Sequence, residues 1–123
     1  MMNYGNVVAG SMEEGIAKVG PGDWTRLNAR SSNQDTTDRG NLANRKWIEL
    51  QFRSIGALAI SYTNKNNDGT FSKPNHNAHI GTIYPANSII EKPIGENIMM
   101  WGRLVNKANA SVGGAKINVV EFK

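Results

Sequence analysis

From Arg45 onward the chain alternates short apolar segments with glycine- and asparagine-rich breaks, recurring every 8 to 20 residues. Arg45–Phe52, Gly56–Thr63, Ile80–Tyr84, Asn87–Lys92, Asn97–Val105 and Ala115–Phe122 read as strands. In the first of these, Ile48, Leu50 and Phe52 share one face while Glu49 and Gln51 share the other, the period-2 mark of a half-buried strand. Leu58, Ile60 and Tyr62 repeat the pattern, and Ser54-Ile55-Gly56 between the two segments is short enough for a tight hairpin. The last segment is apolar on both faces, which places it inside a sheet. Ile98–Val105 is apolar on consecutive positions and predicts a strand buried on both sides or at an interface. Gly102 within it predicts a bulge or a close backbone approach. Gly113-Gly114 then reads as a hairpin into the final strand. No sustained 3.6-residue apolar stripe exists anywhere. The prediction is an all-β, antiparallel, jelly-roll-like β-sandwich. Trp24, Trp47, Trp101, Phe52, Tyr62 and Phe122 are its expected aromatic core.

Residues 1–44 follow a different pattern. Gly15–Gly20 is the one candidate strand, Pro21-Gly22 marks a turn, and Trp24 and Leu27 are the large apolar groups before a polar stretch from Asn28 to Asn41. A structureless run of about 15 residues is uncommon in a compact domain unless it has a task. The expected organisation is therefore an N-terminal arm and polar loop over 1–44, with room for an edge strand, followed by a sandwich domain over 45–123. An arm of this kind orders on a partner, and removing residues 1–20 is expected to leave the sandwich folded. Its aromatic and guanidinium groups, together with the arginine at its junction, are the candidate partner-binding residues: Trp24, Arg26, Arg30, Arg39 and Arg45.

Composition narrows the class. The 123 residues suit one domain, and the absence of cysteine removes disulfides and thiolate metal sites. It also points to synthesis in a reducing cytoplasm. Residues 1–20 lack a basic segment followed by a continuous apolar run, so no signal peptide is expected. No stretch approaches the roughly 18 apolar residues of a membrane span, so a soluble protein is expected. With 16 asparagines and 13 glycines, the chain favours turns over helix interiors. The net charge of +4 divides unevenly: residues 1–44 carry four basic and five acidic groups, residues 45–123 ten and five. A basic sandwich suits an acidic protein surface or nucleic acid, although the dispersed lysines and arginines also serve simply as a solvated surface.

Candidate chemistry is sparse. Asn64-Lys65-Asn66-Asn67-Asp68-Gly69 resembles the opening of a calcium loop, but its twelfth position is Asn75 where a bidentate glutamate is required. A hairpin turning at Asp68-Gly69 explains the same residues. His76 and His79 stand three apart beside Pro74 with no third ligand nearby in sequence. No nucleophile-elbow pattern surrounds a serine, and Glu49, Glu91, Glu96 and Glu121 are equally strand-edge or loop charges. Arg45, Lys46, Trp47 and Arg53, with Trp101 near Arg103, could serve a single-strand nucleic-acid barrel. The tryptophans lie in the best core-forming strands, which argues against it. No enzyme activity and no cofactor are expected.

Three segments carry a resemblance: His79–Pro85, Ile98–Val105, and Val112–Phe122 with its Gly113-Gly114 turn and terminal Val-Glu-Phe strand. Together with the cysteine-free composition and the long polar N-terminal part, they resemble the small β-sandwich structural proteins of tailed bacteriophage particles, among them capsid decoration (cement) proteins and tail or fibre-base subunits. The resemblance covers about a third of the chain. It implies a non-enzymatic virion protein made in the host bacterial cytoplasm that binds and stabilises the shell. The implied partners are the major capsid protein or other virion proteins, in a homo-oligomer, with neither membrane nor nucleic acid as partner. A tail- or fibre-associated carbohydrate- or receptor-binding module is the alternative, and a single-stranded nucleic-acid-binding barrel the third.

Overall fold

The alternation along the chain is realised as eight strands in two antiparallel sheets. The computed structural model describes residues 12–29, 40–53, 56–77, 81–105 and 115–123. Among these the strands are β1 (Met12–Val19), β2 (Thr25–Arg26), β3 (Trp47–Phe52), β4 (Leu58–Asn64), β5 (Thr82–Tyr84), β6 (Ile89–Lys92), β7 (Ile98–Leu104) and β8 (Ala115–Phe122), with no helix among the described residues. The first sheet has the order β1-β8-β3-β6 and the second β2-β7-β4-β5. The first strand thus pairs with the last, the second with the seventh, the third with the sixth and the fourth with the fifth. That is one long antiparallel ribbon rolled up on itself, the jelly roll.

All six strands expected after residue 44 are present. Their connections differ from the expected ones. β3 and β4 lie in opposite sheets and do not pair, so they do not form the expected hairpin. β7 and β8 are likewise in opposite sheets; the Gly113-Gly114 pair itself lies outside the described residues. Only β4 and β5 are both consecutive and paired. The Asn64–Gly69 segment does turn as a hairpin. The amide of Asn66 donates to the carbonyl of Thr70 at 2.8 Å, Lys65 bridges to Phe71, and Gly69 takes a positive φ of 87°. The Asp68 carboxylate accepts from the Thr70 hydroxyl and amide, which holds its pKa below the ordinary value.

The N-terminal part is more deeply built in than its composition suggests. β1 pairs along its whole length with β8, from Met12 opposite Phe122 to Val19 opposite Ala115. Ala17, Val19 and Leu27 are fully buried. A Cβ on Gly15 would overlap the carbonyl oxygen of Ala29, so the chain after β2 lies directly against β1. Residues 12–29 are therefore part of the sandwich, and a deletion through residue 20 would strip an edge strand and two core side chains. The boundary expected at residue 44 does not divide the packing. Residues 1–11 and 30–39 lie outside the described residues.

Two apolar clusters hold the sheets. Between them lies the main core, built from Ile48, Leu50 and Phe52 of β3, Ile117 and Val119 of β8, Leu58 and Ile60 of β4, and Met100 and Leu104 of β7. A second cluster of Trp24, Ala59, Phe71, Met99 and Trp101 covers the outer side of the second sheet. This explains the continuous apolar run of β7: Met100 and Leu104 face inward while Met99 and Trp101 face the outer cover. Gly102 permits close packing, since a Cβ there would lie 3.0 Å from the side chain of Leu27. Trp101 is buried and its indole N–H donates to the Thr63 hydroxyl at 2.8 Å. Trp47 departs from expectation. It is only half-buried, on the outer side of the first sheet opposite Phe122, because its parity on β3 is opposite to that of Ile48 and Leu50. Tyr62 lies at the margin, 38% exposed.

Trp101→Ala is expected to destabilise the protein by about 3–5 kcal/mol, the range for removing a large buried aromatic. Urea unfolding followed by circular dichroism measures it. A loss below about 1 kcal/mol would mean that the outer cluster contributes little, since such values are typical of surface changes.

Candidate functional site

Four polar or charged side chains among the described residues are buried: Asn28, Asn41, Arg45 and Glu121. Glu121 occupies an inward position of β8, in line with Ile117 and Val119. Its Oε1 accepts the amide of Ala29 at 2.6 Å and its Oε2 accepts the amide of Leu42 at 2.8 Å. Arg45 Nη1 donates to the same Oε2 at 2.9 Å, with both side chains fully buried. The rest of the guanidinium is spent on backbone: Nε donates to the Ile94 carbonyl at 3.1 Å, and Nη2 to those of Gly95 and Ile98 at 3.0 and 2.7 Å. Asn41 Nδ2 donates to the Glu96 and Ile98 carbonyls, and Asn28 Nδ2 to the carbonyl of Gly40. Burial pulls the Arg45 pKa below its ordinary value, and the neighbouring Glu121 opposes that shift. A buried pair persists when additional hydrogen bonds satisfy the remaining donors and lone pairs, as here.

Of the expected partner-binding residues, Arg45 is thus fully engaged within the domain. Trp24 is also buried, its indole N–H donating to the His76 carbonyl at 2.8 Å and its ring meeting the His76 ring edge-on at 5.4 Å. Arg26 is half-buried on β2, its guanidinium 5.4 Å from the centre of the Trp101 ring. Arg30 and Arg39 lie outside the described residues, as does His79. Trp24, Arg26 and Arg45 consequently do not share one exposed surface. The bulk of Trp24 and the charge of Arg45 are used inside the domain.

His76 and Ser61 form the one hydroxyl–imidazole contact recorded among the described residues. Ser61 Oγ lies 3.1 Å from His76 Nε2, while Nδ1 lies 3.0 Å from the Asn77 carbonyl. The carbonyl requires a proton on Nδ1, which leaves Nε2 to accept from the serine. With its carbonyl held by Trp24 and its ring held by Ser61, His76 fastens the 71–77 segment over the second sheet. Lys73 adds an exposed ion pair to Asp23 at 2.6 Å, and its hydrogen bond lowers the Asp23 pKa. Exposed pairs of this type contribute little to stability.

The first sheet is arranged differently. Away from the Trp47–Phe122 row, its outer side forms an open groove of about 560 Å³ among the described residues, lined by Glu14, Ile16, Glu49, Gln51, Asn118 and Val120. Ile16 and Ile89, at 48% and 62% exposure, flank it. Beside it lies a second depression lined by Gln51, Arg53, Lys116 and Asn118. This four-stranded face is the candidate binding surface. Sequence reasoning does not reach it, because the face is assembled by a strand register that spans the whole chain. The available signal is the outward period-2 set of each strand, such as Glu49 and Gln51.

No protein-family model matches the chain, and no curated protein matches it in sequence. Among solved structures, the coat protein dimer of Tobacco streak virus is similar with a TM-score of 0.37 and 5% sequence identity, covering 95% of this chain and 89% of that chain.

Glu121→Ala is expected to cost about 3–5 kcal/mol, because it leaves a buried guanidinium unpaired. It also leaves two amides without their acceptor. Glu121→Gln should rescue only part, since its amide group would present donors to donors. Replacing both Arg45 and Glu121 by leucine should fail to restore stability, because the carbonyls of Ile94, Gly95 and Ile98 each lose the guanidinium donor as well. Chemical denaturation of the three variants tests this; a stable double-leucine variant would make the polar centre dispensable.

Proposed function

We propose that this protein is a non-enzymatic structural protein of a virus particle. The observation that carries the reading is the jelly-roll strand order combined with an interior filled by side chains. Jelly rolls serve viral capsids, lectins and cupins. In this one the space between the sheets is occupied by leucine, isoleucine, valine, phenylalanine and methionine side chains, so no ligand chamber lies there. The polar side chains that are buried together are consumed in holding backbone, and the Ser61–His76 contact fastens a surface segment. What remains available among the described residues is a broad strand face with an open groove, which suits contact with another protein.

The resemblance to tailed-phage particle proteins refines the proposal to a decoration protein, made in the bacterial cytoplasm, that binds the major capsid protein. The loop over residues 30–41 supports such a role. Its two ends are joined through one carboxylate, Ala29 on one oxygen and Leu42 on the other. Glu121 thus fixes Ala29 and Leu42, the described residues on either side of 30–39. Arg30 and Arg39, outside the described residues, are the proposed contacts together with Arg26.

Mixing the purified protein with undecorated phage shells should give saturable, stoichiometric binding in a sedimentation assay. Raising salt should slow association, because exposed charges are screened beyond about 8 Å at physiological ionic strength. Arg30→Ala/Arg39→Ala should weaken shell binding while leaving the thermal transition in place. A protein that ignores shells but binds a polysaccharide or single-stranded DNA tightly would overturn the reading.

A further inference from the structure

At one end of its outer face, the first sheet sets three cations in a row. Lys18 and Lys116 are direct cross-strand partners on β1 and β8. Arg53 follows Phe52, the partner of Ile117 on β8, and lines a shared depression with Lys116. All three have the outward parity of Ile16, Asn118 and Gln51, opposite to the buried Ala17, Ile117 and Phe52. Arg53 and Lys116 are exposed and Lys18 is half-buried. Neighbouring strands lie about 4.8 Å apart, so the row spans about 10 Å across β1, β8 and β3.

Like charges placed directly opposite one another are destabilising. Among the described residues no carboxylate forms an ion pair with Lys18, Arg53 or Lys116. Glu14, on the same face of β1, is four residues from Lys18, about 14 Å along the strand at roughly 3.4 Å per residue. That exceeds the screening length of about 8 Å at physiological ionic strength. The depression beside the cations is completed by the side-chain amides of Gln51 and Asn118, which are partners on β3 and β8. Ile16, 48% exposed, continues their row on β1.

We infer that this end of the face holds an acidic segment of another protein, lying across β1, β8 and β3 with its carboxylates on Lys18, Lys116 and Arg53. Alternate side chains of an extended segment project about 7 Å apart, so two carboxylates fall within the row. Arg53 presents a planar fork that takes one of them bidentately, while the lysines act as point charges. The amides of Gln51 and Asn118 both donate and accept, which suits the segment's backbone. Ile16 offers an apolar neighbour a seat. A nucleic-acid strand is served less well, because single-strand sites add aromatic side chains for stacking and this depression is lined by none. The inference is independent of the virion reading, and its test contains no shell.

The test is fluorescence anisotropy of a labelled peptide of alternating glutamate and threonine, titrated with the full chain at low salt. Wild type should bind it, and added salt should weaken the binding. Lys18→Glu/Arg53→Glu/Lys116→Glu should raise the dissociation constant at least about tenfold, as three exposed attractions give way to repulsion. Lys46→Glu/Lys65→Glu/Lys123→Glu makes the same change of net charge at exposed lysines off the row and should raise it far less. Circular dichroism checks each fold. Lys18→Gln/Arg53→Gln/Lys116→Gln removes the charge without reversing it and should fall between wild type and the reversed variant. A wild type that does not bind the peptide would overturn the inference. So would a reversed variant that binds unchanged, or an off-row variant that loses as much. An oligothymidylate that binds more tightly than the peptide, and loses that binding in the reversed variant, would give the row to nucleic acid instead.

Discussion

One carboxylate sets the geometry of an entire end of this sandwich. Glu121 receives the chain on its way out at Ala29, on its way back at Leu42, and the guanidinium of Arg45 shortly afterwards. Arg45 in turn holds three carbonyls of the β6–β7 connection. The jelly roll forces several chain crossings at this end, and each crossing brings backbone groups that no neighbouring strand can pair. A buried N–H or C=O without a partner costs on the order of 1–3 kcal/mol. Two opposite charges that radiate hydrogen bonds in several directions satisfy five such groups at once, which an apolar pair of the same volume could not do.

The same rolled topology makes the two sheets unequal. The β7–β4 centre of the second sheet is buried on both sides, by the main core within and by Trp24 and Phe71 without. Residues 65–77, after β4, are what reaches over it, fastened by Trp24 and Ser61 to His76. Among the described residues the first sheet receives no comparable cover. Its outer positions are consequently where charge, amide and apolar groups are free to be arranged for a partner. The asymmetry directs the search for function to one face and explains why the covered face contains the larger aromatic residues.

Much of this was legible in the chain. The alternation in 47–52 and 58–62 and the continuous run of 98–105 predict strands correctly because they report local burial, which a period-2 count reads directly. The sheet assignment was not legible. The segment at 54–56 has the length of a hairpin, yet whether two successive strands pair or cross depends on the distant strands each of them meets. Arg45 shows the same limit at the level of a single residue. Next to a long polar stretch it reads as a surface charge, while its counter-charge is 76 residues away. Glu121 reads as a strand-edge or loop charge, although its parity with Ile117 and Val119 places it inward; that parity was the available clue.

The choice between edges and faces as the route to assembly follows from strand lengths. An open edge recruits another chain through unpaired N–H and C=O groups, so its capacity depends on how many it offers in a row. The edge strands β2, β5 and β6 hold two, three and four residues. The eight-residue β1 is longer, but Ala29 lies against its middle at Gly15. None of these offers a long, free ladder. The outer face of the first sheet has the reverse character: four strands wide, open among the described residues, and patterned in rows by side chains whose burial the core does not need. A sandwich that keeps its edges short and leaves one face open is built to associate through that face, with the register of β1, β8, β3 and β6 deciding what it meets.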